Sequence, residues 1–316
     1  MLPVAARTTQ SQWWRLVLGT VVLLPFTPGS LDLVALTLAA LLVASGAGTH
    51  RAREQTIAAV LAGIGLAAVV WFSSGTDPLV KVVRTYSLLA AVAFAGGALL
   101  APASVLRQAF RAVCWAILGV GLLGFLVRGT GFLTELEWSA LRQTSSAFRT
   151  IVPLRPDAYP LLEPLVRFMT DAFPAFVILQ TFAGLALAWQ WHVRLAQVPL
   201  GPPLGAFRDF RFGDQWVWGL VTALLVWTVP KLVLLKGAAL NVGLILGALY
   251  LLRGAAILVA LAGAAGLPTW TLVAGAVVAC VLLLPLLVLV PSLWTLGVFD
   301  TWLAFRQRRL GRPTVQ

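Results

Sequence analysis

Acidic side chains are scarce: Asp and Glu together number 11 of 316 residues. Histidine and cysteine number 2 each. His50 and His192 stand alone at helix ends, with no second ligand three or four positions away, so the pattern of a metal site is missing. Cys114 and Cys280 both fall inside apolar runs. They make no disulfide framework and read as small packing residues. No nucleophile elbow, Walker sequence or zinc-protease helix occurs. The acyl-transfer and ATPase classes therefore lack their residues, and an enzyme ranks behind other functions. No hydrophilic stretch is long enough for a separate soluble domain, so the expectation is a single integral membrane domain over residues 1–316. The net charge is +12. Its basic residues are dispersed over loops and helix ends, which excludes a clustered nucleic-acid face. Only Lys81, Lys231 and Lys236 are lysines. Arg in place of Lys, with abundant Ala, Gly, Leu and Val, suits a GC-rich bacterial genome. The run Leu16–Phe26 lacks a small-x-small cleavage site and reads as a retained first helix.

What the chain has is apolar length. Hydrophobic residues make up 60% and the mean hydropathy is +0.93. Val82–Pro102, Phe173–Trp191, Ala239–Ala265 and Pro268–Val290 each approach the roughly 20 residues that cross a bilayer as a helix. The fold class is an all-α polytopic transmembrane bundle of eight or nine spans. Nine apolar segments can be drawn: 13–26, 31–48, 56–73, 82–101, 112–127, 173–191, 216–235, 239–264 and 268–290. They fall into N-terminal spans (1–127), an interfacial connection (128–172), C-terminal spans (173–305) and a basic tail (306–316). Phe132–Arg149, with charges among Leu and Phe, reads as an amphipathic interfacial helix. Ala206–Trp218 alternates Phe and Arg and reads as an interfacial entry into the seventh span. Basic groups at His50–Arg53, Arg107 and Arg111, Arg194–Arg211 and Arg306–Arg312 should all be cytoplasmic. The last conflicts with simple alternation, so one late segment fails to cross, or Leu293–Phe305 folds back, or the Arg194–Arg211 loop lies outside. The density of the final cluster favours a cytoplasmic C-terminus.

Few residues stand out chemically. Gly119-x-Gly121-x-x-Gly124 has the text of a dinucleotide loop but lies inside an apolar helix, where helix packing explains it. Gly243-x-x-x-Gly247 suits close helix approach, continued along the same face by Tyr250 and Gly254. Arg253 lies mid-run in Ala239–Ala265. An Arg at bilayer depth costs about 2.5–3.5 kcal/mol on insertion scales and normally has a partner or a role. Tyr250, three residues earlier, is its polar neighbour. Arg253, Tyr250 and Asn241 are the candidate ligand-binding residues, with Asn241 alternatively capping a helix start after Gly237. Asp300, among aromatic residues, needs a cation from another helix, because Arg306 falls on nearly the opposite helix face. Arg253, Arg208 and Arg211 are the candidates. Asp300, Arg306, Arg208 and Arg211 form the structural or partner-docking set, and Lys231 and Lys236 mark an interface.

The order Phe207-Arg208-x-Phe210-Arg211, Leu249-Tyr250-x-x-Arg253-Gly254, Leu296-Gly297-x-x-Asp300 and Phe305-Arg306 resembles the YybS-like family of predicted bacterial membrane proteins, a domain of unknown function. The resemblance covers roughly residues 170–310. This chain has Arg253 where that family usually has Gln. The resemblance implies a multi-pass protein of the bacterial cytoplasmic membrane, similar in layout to small-solute importer subunits. The leading expectation is a membrane component that binds or moves a small solute, as a transporter subunit. The alternative is a non-catalytic scaffold in envelope assembly or cell division. Expected partners are membrane lipids, a membrane or cytoplasmic protein and a small-molecule substrate; no cofactor or nucleic acid is expected. A tag placed after Arg312 should resist protease added outside intact spheroplasts, since basic residues near a span end resist translocation. Its removal from outside would reverse the assigned side.

Overall fold

The computed structural model describes residues 31–46, 63, 65, 72, 77–100, 104–148, 159–196, 198–282 and 284–303. The described residues are helical and irregular, with no strand. Among the described residues ten α-helices follow in order: α1 (Leu31–Gly46), α2 (Pro78–Leu100), α3 (Val105–Arg128), α4 (Gly131–Phe148), α5 (Tyr159–Asp171), α6 (Phe173–Leu195), α7 (Trp216–Thr228), α8 (Val233–Ala264), α9 (Thr269–Leu282) and α10 (Leu284–Leu303). Among the described residues four helical stretches are long and apolar enough to cross a membrane: Pro78–Leu100, Val105–Arg128, Phe173–Leu195 and Pro230–Ala264. The expected segments 13–26 and most of 56–73, and Arg306 with the basic tail, lie outside the described residues.

The chain divides into two units, Met1–Leu204 and Gly205–Gln316. In the first, α2 and α3 pack side by side, and α6 contacts α1, α2 and α3. Two apolar clusters show α2 and α3 to be antiparallel: Phe94, Ala95 and Ala98 meet Ala109 and Ala112, while Tyr86 and Ala90 meet Ala116 and Val120. Alanine dominates this seam because, with lipid on the outside, helices associate through close approach rather than through escape from water. Asp77 starts α2 by accepting the Leu79 backbone N–H at 2.9 Å. Gly129, at φ 62°, ends α3 in a conformation that favours glycine, and α4 leaves at once. Arg107 and Arg111, read as a loop before the fifth segment, fall inside the first turns of α3. Phe132–Arg149 is helical as α4, up to Phe148. Of the dinucleotide-like glycines, Gly124 is filled by the Phe132 ring and Gly119 faces Leu89, which is helix packing. Cys114 is exposed on α3 and does not pack as its sequence position suggested.

In the second unit α8 is the centre, contacted by α7, α9, α10 and the short 3-10 turn Phe207–Asp209. The expected break between segments at Lys236–Gly237 is absent. The chain breaks instead at Val229 and the 3-10 turn Pro230–Leu232, then runs as one helix of 32 residues. Proline cannot donate the helix hydrogen bond and clashes with the preceding turn, whereas glycine only weakens a helix. At about 48 Å, α8 exceeds a roughly 30 Å hydrocarbon layer and must tilt or project from it. Gly266, at φ 78°, turns the chain between α8 and α9. The ninth segment, drawn to residue 290, covers α9 and the start of α10, and helix continues through Pro291 to Leu303.

The close approach in this unit is not at Gly243 and Gly247, which make only ordinary contacts with Ala223 and Trp294. It is at Gly254 of α8 and Gly297 of α10. A Cβ on Gly254 would land on the Leu293 carbonyl, and one on Gly297 on the Tyr250 carbonyl. Each helix thus lays bare backbone against the other. Gly297→Val should lower stability by at least about 1–3 kcal/mol, the usual cost of overpacking. Gly237→Ala, with nothing within 4 Å, should not. Melting of the detergent-solubilised variants checks both.

Candidate functional site

The crossing of α8 and α10 sets one residue beside each glycine. Arg253 precedes Gly254, and Asp300 lies three residues after Gly297, so the backbone contact brings the two side chains together. Arg253 Nε donates to Asp300 Oδ2 at 3.1 Å, and its second terminal nitrogen lies 3.0 Å from the same oxygen. Both side chains are 0% exposed. The other terminal nitrogen donates to Asp214 Oδ1 at 2.6 Å. Asp214 belongs to the turn before α7, and its side chain is 56% exposed. One guanidinium is therefore held between a carboxylate sealed in the helix pair and a carboxylate at the surface, with a formal balance of one negative charge.

Aromatic rings close the site. Phe212 is buried, with its ring 4.9 Å from the Tyr250 ring in an edge-on arrangement. The Arg253 guanidinium carbon is 5.8 Å from the Phe212 centroid, within cation–π range. The run Ala206–Trp218, expected to spread its rings at headgroup level, thus turns Phe212 inward onto α8. Phe207, Trp216 and Trp218 remain exposed. The hydroxyls of Tyr250 on α8 and Thr301 on α10 are buried and make no hydrogen bond among the described residues.

The structure gathers Arg253, Tyr250 and Asp300. It does not gather Asn241, which lies 12 residues before Arg253 on α8, about 18 Å along the axis. Asn241 is inside the helix rather than at its start, and its side-chain amide donates to the Gly237 carbonyl at 2.8 Å. Arg208 lies 3.8 Å from neighbouring Asp209, and Arg211 is exposed, so among the cations considered for Asp300, Arg253 makes the contact. Arg306 lies outside the described residues. Asp214, Phe212 and Thr301 were missed. Asp214 had a signal in hindsight: a carboxylate in a Phe- and Arg-rich run, in a chain so poor in acid. Among the described residues no group of three His, Cys, Asp or Glu is arranged to hold a metal.

Residues 156–301 match the family model described as a predicted membrane protein, DUF2232. Asp214, Arg253 and Asp300 all fall inside the matched stretch. The chain is thus similar, over its C-terminal half, to a membrane protein family of unknown function. No curated protein and no solved structure matches it.

The three charges should be energetically coupled. Arg253→Leu alone should cost about 3–5 kcal/mol, because it takes the guanidinium partner from a buried Asp300. Arg253→Leu with Asp300→Leu should recover most of that loss. Asp214→Ala, removing a half-exposed partner, should cost about 1 kcal/mol or less. Denaturation in mixed micelles, read as a double-mutant cycle, checks the coupling. Additive losses at Arg253 and Asp300 would contradict it.

Proposed function

We propose that this protein is a non-catalytic membrane scaffold, built on a single polytopic domain that crosses a bacterial cytoplasmic membrane eight or nine times and is related to the YybS-like proteins. The observation that carries the reading is that the bound partners of Arg253 are carboxylates of its own chain. A guanidinium already held by two Asp side chains ties a surface turn and two crossed helices together. An ion pair of this kind fixes register and identity of packing more than it adds stability. Large exposed apolar faces elsewhere, such as Trp115, Leu118, Leu122 and Leu126 on α3, suit lipid or another membrane helix. Proteins of envelope assembly or cell division are the natural partners of such a scaffold.

A specific observation favours a second reading, a membrane subunit that binds or moves a small solute. Asp214 is half exposed while the Arg253 it covers is fully buried, and Tyr250 and Thr301 bring two further hydroxyls to the same place. A carboxylate-bearing solute that displaced Asp214 would meet a ready-made cationic site.

The two readings differ in whether the charges can be dispensed with. The triple change Asp214→Asn, Arg253→Met, Asp300→Leu removes the whole cluster and leaves no charge stranded. On the scaffold reading the variant should fold, melt at or above the parent temperature and restore the phenotype of a strain lacking the protein. A variant of normal abundance and melting temperature that fails to restore it would overturn the scaffold reading and favour the solute site.

A further inference from the structure

A second charged cluster lies in the first unit. The start of α2, the end of α3 and the first turns of α4 form a small open cleft lined by Pro78, Lys81, Val82, Arg128, Phe132, Glu135 and Leu136. Helices α2 and α3 are antiparallel, so Lys81 in the first turn of one and Arg128 at the end of the other share one side of the bundle. At 23 and 24 residues each helix is about 35 Å long, slightly more than the hydrocarbon layer. Their ends therefore reach headgroup depth. The aromatic marker of that depth is present too: Trp138 is exposed on α4, as is Leu133.

The cleft carries both signs of charge on an apolar floor. One terminal nitrogen of Arg128 meets both carboxylate oxygens of Glu135, and the two side chains remain 43% and 33% exposed. Lys81 lines the same cleft. Phe132 is buried at its base, filling the notch left by Gly124. A purely anionic headgroup would suit Lys81 and Arg128 but would face the Glu135 carboxylate. A choline headgroup would balance that charge but has no N–H to donate. A headgroup with both a phosphate and a primary ammonium matches the charges of all three residues.

We infer that this cleft binds the headgroup of a zwitterionic phospholipid with a primary ammonium, its phosphate held by Arg128 and Lys81 and its ammonium by Glu135. The acyl chains then lie along the exposed apolar faces of α3 and α4. This site is independent of the scaffold reading.

Native mass spectrometry of the delipidated full chain, titrated with phosphatidylethanolamine, phosphatidylcholine and phosphatidylglycerol of equal acyl chains, tests it. Phosphatidylethanolamine should bind roughly tenfold more tightly than the other two, the value of one charge-assisted hydrogen bond. Glu135→Gln should erase the advantage over phosphatidylcholine. Arg128→Gln and Lys81→Gln should weaken all three lipids. If Arg128→Gln alters the melting temperature, Lys81→Gln decides. Equal binding of the three lipids, a preference for phosphatidylglycerol, or an unchanged preference in Glu135→Gln would overturn the assignment. Displacement of the lipid by an equal concentration of free phosphoethanolamine would overturn the lipid as occupant.

Discussion

The Gly254–Gly297 crossing is the constraint on which the second unit depends. Two helices can bring their backbones into contact only where neither carries a Cβ, and both glycines are needed because each faces the other helix's carbonyl. In lipid there is little hydrophobic force between helices, so this close approach and the polar contacts it permits supply the association. The crossing also fixes the charges. Were α8 and α10 held even a side chain's width further apart, Arg253 could not place two nitrogens on one carboxylate oxygen of Asp300.

Burial makes that contact consequential in both directions. A guanidinium and a carboxylate that each have no exposure would be severe liabilities alone, and each is tolerable because the other is present. Asp214 adds a weaker, wetter hold and draws the Phe207–Gly213 run over the site, with Phe212 wedged against Tyr250 and Arg253. Sequence-distant pieces are thereby tied at a single side chain. This is why a structural role for the cluster is the economical reading, and why the half-exposed carboxylate is the place where a solute role would have to enter.

The cleft of the first unit follows a different logic. Its residues sit at helix ends, where a side chain can reach water and lipid headgroups together, so charges there carry little penalty and pair loosely. The contrast between a sealed ion triad within crossed helices and an open, two-signed cleft at helix ends separates a group used for packing from groups placed to meet a ligand.

Apolar length and the lack of acid, histidine and cysteine were enough to establish a helical membrane protein and to single out Arg253 and Asp300, because the cost of a charge in an apolar run is a local property of the sequence. The turn at Gly266 was legible because Gly and Pro punctuate a chain locally. The boundaries of α8 were not: Gly237 beside Lys236 looked like an end, yet glycine is tolerated inside a helix and Pro230 is not. Asn241 was assigned to a helix start that does not exist. Only the tertiary structure decided which glycines touch, since Gly243-x-x-x-Gly247 and Gly254 read alike until the partner helix is in place. It alone decided that Asp214, distant in sequence from Arg253 and Asp300, completes the charged centre. A sequence states what each residue costs to bury, but which partners offset that cost is settled by the crossing of helices far apart in the chain.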